Sequence, residues 1–260
     1  MNIVVCVKYV PDAQSERTFN ESDNTTDRVG VDGLLSELDE YAVEEALKIV
    51  EAGEGEVTVL TVGPDQAADA VKKALQMGAD KGVHVNDEAI HGSDSVATSL
   101  VLAEAIRKIG DADLVLTGMA STDGTMSVVP AMLAERLGLP QVTFASELSV
   151  DGGQVTIRRD GDAASETIVA SLPALVSVTD QINEPRYPSF KGIMAAKKKP
   201  VETKSLADLG IDASTVGLAS ATSQVLDFAG RPPKGEGVKV TDEGDGAQKF
   251  VDYLAAQKIV

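Results

Sequence analysis

Cysteine is nearly missing from these 260 residues: Cys6 is the single one, so no internal disulfide can form. With only two histidines, His84 and His91, a cysteine/histidine zinc cluster is excluded as well. Positive charge is scarce. Lysine and arginine total 23 against 41 acidic residues, a net charge of -18, which argues against nucleic-acid or acidic-membrane binding. No apolar run reaches 18 residues, and the N-terminus shows no basic leader with a long apolar stretch, so the expectation is a cytoplasmic protein without membrane insertion. The common chemical signatures are missing too. No GxGxxG follows a strand pattern, and there is no GxxxxGK[ST], HExxH, GxSxG or cysteine–histidine nucleophile pair. Cys6 then reads as a small buried residue in a reducing compartment.

What is present is an alternation of strands and helices. Asn2–Val7 is a β-rich apolar run of the kind covered on both faces. Ala13–Leu35 is polar without a sustained period and reads as a long loop or weak hairpin. Asp39–Ala52 places Ala42, Val43, Ala46, Leu47 and Val50 on one helical face and stops at Gly53. Strand Glu56–Val62, helix Gln66–Met77, short strand Gly82–Val85, helix Ser93–Ile109 and strand Asp111–Thr117 follow. This order predicts an α/β fold, an open and mostly parallel sheet with helices on both faces. Beyond Pro140 the segments Val142–Val150, Gln154–Asp160, Glu166–Leu172 and Ala174–Thr179 leave little room for helices and read as an antiparallel extension.

The loop after Asp111–Thr117 is the first candidate site. It is bounded by Gly118 and Gly124, carries Ser121, Thr122, Asp123, Thr125 and Ser127, and leads into a helix with Pro130 in its first turn. Ligands of open parallel sheets sit beyond the strand carboxyl ends, where a helix N-terminus offers free N–H groups to an anion. The same residues also suit an ordinary capped turn, and Asp123 suits a helix cap as well as a ligand.

From Gln181 the composition shifts. Five of the ten prolines fall there, and only Gly246–Lys258 has a clear helical period, so residues 1–181 are expected as one α/β domain and 182–260 as an extended arm. Phe190, Ile193 and Met194 lie on a proline-broken stretch, either displayed for docking or packed back on the body. Lys197, Lys198 and Lys199 form a basic run, either solvated or paired with a partner.

Several stretches together resemble the β subunit of the electron transfer flavoproteins, from one end of the chain to the other. They are Ile157–Asp162 with Glu166-Thr167-Ile168, Leu172–Thr179, Glu44–Leu47, Ala74–Asp80, and Asn183–Tyr187 with Ile193-Met194 and the lysine run. The resemblance implies an electron-carrier subunit with no catalytic side chain, paired with an α subunit that holds most of an FAD. It implies a nucleotide-binding, adenine-nucleotide-hydrolase-like α/β fold whose pocket holds AMP, or a second FAD in bifurcating relatives. The matching positions are Cys6, Ser36, Glu37, Leu38, Asp39, Val62, Gly118, Met119, Ala120, Ser121, Thr122, Asp123, Gly124, Thr125, Met126, Ser127, Val128 and Val129. It further implies a recognition loop for acyl-CoA-type dehydrogenases, in a chain of transfer ending at a quinone oxidoreductase. Pro185, Arg186, Tyr187, Phe190, Ile193, Met194, Lys197, Lys198 and Lys199 match that loop, with Phe190 where relatives place a leucine anchor. The terminal helix is expected to pack on the α subunit. Many relatives carry glutamines where this chain has Ala120 and Val128, and Asn-Pro where it has Ser36-Glu37. The competing reading is a stand-alone nucleotide-binding regulatory domain of the stress-protein kind, which would not need Asn183–Val260.

Overall fold

A computed structural model describes residues 1–15, 17–28 and 30–260; Glu16 and Val29, inside the polar Ala13–Leu35 stretch, lie outside the described residues. Four apolar segments predicted as parallel strands, together with a fifth that was not, form the centre of one sheet. They are β1 (Asn2–Cys6), β4 (Glu56–Val62), β5 (Lys81–Val85), β6 (Leu114–Gly118) and β10 (Ala174–Val178). Short strands β2 (Tyr9–Pro11) and β3 (Gly33–Leu35) pair antiparallel and close the base of the polar stretch, which makes the hairpin alternative the observed one. With β7 (Gln141–Asp151), β8 (Gln154–Asp160), β9 (Ser165–Ser171) and β11 (Val201–Lys204), the large sheet has nine strands in the order β11-β5-β4-β1-β6-β10-β7-β8-β9.

Alternation along β1 sorts the core into two layers, because successive strand side chains point to opposite faces. Ile3 and Val5 pack under α1 (Glu37–Ala52) and α2 (Ala68–Met77), against Val43, Leu47, Val71 and Leu75. Val4 and Cys6 pack on the other side with Leu102 and Ile106 of α3 (Ser95–Ile109) and Leu133 of α4 (Val129–Leu137). Both faces of the central strands are therefore dry, and each fully buried leucine there contributes roughly 1.5–3 kcal/mol. Asp94 starts α3 by accepting the Ala97 N–H at 3.0 Å, which is why that helix begins two residues later than its apolar period suggested.

Two expectations need correction. The last of the four segments read as an antiparallel extension, Ala174–Thr179, instead holds the central strand β10 (Ala174–Val178), parallel to both β6 and β7. All five of its residues are buried, a pattern that belongs between two helix layers and not on a half-wet ribbon. The antiparallel pairings of the large sheet are β7 with β8 and β8 with β9, so β7 serves both parts. Its first residues pair with β10 and its last with β8, with irregular register near Phe144, whose φ is +61°.

The second correction concerns the tail. β11 adds to the sheet edge beside β5, and α6 (Leu206–Leu209) and Val216 reach the second core layer. A short helix, α5 (Phe190–Ala196), precedes them. Compaction therefore divides the chain into Met1–Leu226 and Asp227–Val260, not at the composition shift near residue 181. Single apolar residues spaced between polar ones gave no periodic signal, yet each finds a place in an existing core. The second unit, taken by itself, carries α7 (Gly246–Ala256), on which no residue is buried; Phe250, Val251 and Tyr253 are among its exposed side chains.

Candidate functional site

The strand order places a switch point at β1: the chain proceeds to β4 on one side and returns through β6 on the other. In open α/β sheets the crevice outside such strand ends is the standard ligand position. Here it is framed by Val7 and Lys8 after β1, the end of β6, the start of α1 and the loop 119–128.

The strand ends and α1 are tied together by one carboxylate. Asp39 Oδ2 accepts the Lys8 backbone N–H at 2.8 Å, and the Lys8 carbonyl accepts the Ser36 N–H at 2.8 Å. Burial pushes the Asp39 carboxyl up to about 7, against the pull of N–H donors from Lys8 and Gly118. Gly118 must be glycine, since a Cβ there would stand 2.5 Å from Asp39 Oδ1 and 2.8 Å from the Leu38 carbonyl. Sequence reading marked Gly118 for close backbone approach, and the partner in that approach is α1.

The loop is braced from a distance. Lys8 Nζ meets Asp123 Oδ1 at 2.8 Å, and Arg28 Nη2 meets Asp123 Oδ2 at 2.6 Å. Arg17 Nη1 donates to the Asp123 carbonyl at 3.4 Å. The Asp123 side chain is 2% exposed. Burial pushes its carboxyl up, but Lys8 and Arg28 prevail and hold it well below the usual carboxylate range. Asp123 is thus engaged by the chain's own cations, and its place in the fold is that of a brace. Thr125 and Ser127 sit at φ +52° and +57°, a left-handed backbone costing on the order of 1 kcal/mol each, kept only where the surroundings over-determine it.

Two buried hydroxyls, Ser36 Oγ and Thr117 Oγ1, have no hydrogen-bond partner among the described residues. A buried polar atom without a partner costs about 1–3 kcal/mol. Both belong to the frame of the crevice, at the start of α1 and in β6 beside Gly118. Val128, the residue before α4, makes no side-chain cap, so the first N–H groups of that nine-residue helix lack one. Unpaired hydroxyls, a bare helix start and nearby Lys8 and Arg28 together suit an anionic, hydroxyl-bearing ligand.

Other predicted positions differ in how they lie. Cys6 is buried in β1, beside Leu60 and Thr117, and burial followed by the neighbouring Asp39 pushes its thiol up to about 12. Val62 ends β4 and is half-buried, as is Leu38. Glu37, Gly124, Thr125 and Met126 are exposed, whereas Met119, Ala120, Ser121, Thr122, Ser127, Val128 and Val129 are half-buried. His84 is buried with Nε2 3.0 Å from the Gly63 carbonyl. Sequence reading missed Arg17 and Arg28, because their contacts with Asp123 span 106 and 95 residues and no local pattern announces them. Lys8 had a signal, its place just after the first strand. An open cleft of about 370 Å³ begins at Met119 and includes Phe144, Arg159 and Asp180 in its lining.

The second candidate region, 183–199, mixes inward and outward residues. Tyr187 is 91% exposed and Phe190 81%, with Ile193 and Met194 also at the surface. Ser189 caps α5 by accepting the Gly192 N–H at 3.0 Å. Pro185 is half-buried, and Lys197 and Lys198 are exposed. Arg186 and Lys199 turn inward, Arg186 onto Glu44 and Glu51 of α1 and Lys199 onto backbone carbonyls at the end of α2.

Comparison with known proteins places these features in a family context. Residues 23–209 match the electron transfer flavoprotein domain. The chain is 52% identical to the electron transfer flavoprotein subunit beta of Mycobacterium leprae (strain TN), an alignment covering 100% of this chain and 99% of that one. Identity to the subunit of the same name from Megasphaera elsdenii is 33%, with 100% of both chains covered. It is 36% identical to subunit CarD of the caffeyl-CoA reductase–Etf complex of Acetobacterium woodii, over 93% of this chain and 92% of that one.

Proposed function

The chain belongs to the electron transfer flavoprotein family as a β-type subunit, and from that premise we propose that it is a carrier subunit without catalytic side chains. In this reading it pairs with an α subunit that holds most of an FAD and passes electrons from acyl-CoA-type dehydrogenases to a quinone oxidoreductase. Membership in a flavin-associated family of two-subunit electron carriers is established by the matches above; the donor and acceptor are the proposal. The observation that carries the docking half is the outward apolar set Tyr187, Phe190, Ile193 and Met194, held on a body that is otherwise strongly acidic. Among the described residues no helix is long and apolar enough to cross a membrane.

A bound flavin supplies the reversible uptake and release of electrons; the polypeptide supplies position and electrostatics. The thiol of Cys6, buried and held protonated, and the buried His84 are poorly placed for chemistry of their own, which supports the carrier reading. The expectation for α7 is contact with the α subunit, supported by its exposed Phe250 and Tyr253.

For the switch-point crevice we propose AMP, with a second FAD as the alternative ligand in a bifurcating carrier. Ser36 and Thr117 would offer hydroxyls, Lys8 and Arg28 positive charge, and the N–H groups of loop 119–128 and α4 phosphate contacts. The unpartnered hydroxyls favour an occupied pocket over a merely structural turn. Co-expression with the α subunit tests both parts. A yellow, reducible heterodimer is expected, and its absence overturns the carrier reading. Mass spectrometry of ligands released by denaturation should find AMP beside FAD. A doubled FAD yield points to bifurcation, and neither excess FAD nor AMP removes the pocket assignment.

A further inference from the structure

Helix α5 has seven residues, none of them buried. Helices shorter than about 12–15 residues are marginal in water, and of the apolar side chains of α5 only Ala196 packs, partly buried, on the core, so propensity and packing contribute little to its formation. What holds it lies at its two ends.

At the leading end, Arg186 spans two carboxylates one heptad apart on α1. Its Nε and Nη2 donate to Glu44 Oε2 and Oε1 at 2.7 and 3.0 Å, and its backbone N–H donates to Glu44 Oε2 at 3.1 Å. Its Nη1 and Nη2 also donate to Glu51 Oε1 and Oε2 at 2.5 and 2.9 Å. Glu44 is buried, so the pair is a fixed fork and not a solvated surface contact. Asn183 adds a bond from Nδ2 to the Tyr41 carbonyl at 3.0 Å. At the trailing end, Lys199 Nζ donates to the carbonyls of Leu75, Gly78 and Ala79 at 3.1, 2.8 and 2.5 Å. These are the bare carbonyls at the C-terminus of α2, where the helix dipole favours a cation. Between the two ends, Gly192 lies flat on α2: a Cβ there would stand 2.4 Å from the Gln76 carbonyl.

We propose that Arg186 and Lys199 are positioning residues that clamp residues 183–199 across α1 and α2 and hold Phe190 and Met194 pre-ordered for an apolar pocket on a dehydrogenase. The inference rests on the docking reading above. Phe190, Ile193 and Met194 stand at i, i+3 and i+4, so one short helix face carries all three. A surface already fixed in its bound shape avoids the ordering cost that a floppy loop would meet at each encounter. This separates the basic run into two jobs. Lys197 and Lys198 stay exposed, while Lys199 is spent on the fold.

The test uses the α/β complex with its flavin and a partner dehydrogenase. Arg186→Ala and Lys199→Met should speed amide hydrogen exchange across residues 186–198 and raise the apparent KM for the carrier about tenfold. Flavin content and kcat should hold. Arg186→Lys, which keeps the charge without the fork, should fall between. Should Arg186→Ala fail to fold by stranding Glu44, the other two variants carry the measurement. Phe190→Ala, run in parallel, separates the two ideas. If it leaves KM unchanged, the docking reading itself fails. If it raises KM while the clamp variants leave exchange or KM at the parent value, docking stands and the clamp is overturned.

Discussion

Loop 119–128 and segment 183–199 use one device for opposite ends. In the loop, a buried carboxylate collects two cations from elsewhere in the chain, Lys8 and Arg28, and the result closes inward over strand ends. In the segment, a cation collects two carboxylates, Glu44 and Glu51, and the result turns apolar side chains outward. The sign of the central charge matters less than what the backbone is free to do afterwards. The loop keeps two residues, Thr125 and Ser127, in left-handed conformations, and the strand end and helix start that frame the crevice hold the unpaired hydroxyls of Thr117 and Ser36. The segment forms a helix with no buried residue, as a surface awaiting an apolar partner would.

The comparison breaks most visibly at Asp123. Asp123→Ala leaves Lys8 and Arg28 facing each other without a counter-charge. Removing one member of a buried pair costs about 3–5 kcal/mol, but these cations are 39% and 30% exposed and can rehydrate, so about 2 kcal/mol is expected. A lower Tm of the complex, with loss of any nucleotide from the crevice, would show it. A melting curve identical to the parent's would mean that the loop is held by something else.

Asp39 offers a finer test, because its pH dependence has the opposite sense to that of Asp123. The folded carboxyl of Asp39 is pushed up to about 7, above its ordinary value of 3.8. Its stabilising contribution is therefore full below about pH 4, falls as the pH rises through 4 to 7, and is level above that. Asp123, held low in the fold, contributes above about pH 4 and loses that contribution in acid. Asp39→Asn should flatten the decline between pH 4 and 7 in denaturant titrations, whatever constant offset it adds. A parent-like slope in the variant would show that the buried carboxyl does not take up a proton there.

The smallest effect belongs to the outward region. Phe190 is 81% exposed, so Phe190→Ala should change stability by less than about 0.5 kcal/mol while, on the proposed docking role, it weakens transfer with a dehydrogenase partner. A large loss of Tm would show that the ring packs on the body and that the contrast between the two regions is false.

Much of this was legible from residue order alone. Ile3 to Cys6 alternate between two helix layers as their unbroken apolar run requires, and Gly53 and Gly78 stop their helices where the pattern ended. The crevice loop was visible as a glycine-bounded polar break before Pro130. Ala174–Val178 was misplaced because a five-residue apolar strand looks the same locally whether its neighbours run parallel or antiparallel. The late core residues Leu206, Leu209 and Val216 were overlooked for a related reason: isolated apolar residues have no period to read.

The order of residues by itself determined which stretches become strands and helices, and its motifs determined the family, since both are written in near-neighbour patterns and in the identity of short segments. Only the tertiary structure decided that Asp123 is a brace, that Arg186 and Lys199 point inward, and that residues 182–226 join the main body. Each of those depends on pairs of groups brought together across tens to more than a hundred positions. Burial then sets their charge and their energy, and a linear chain cannot display burial.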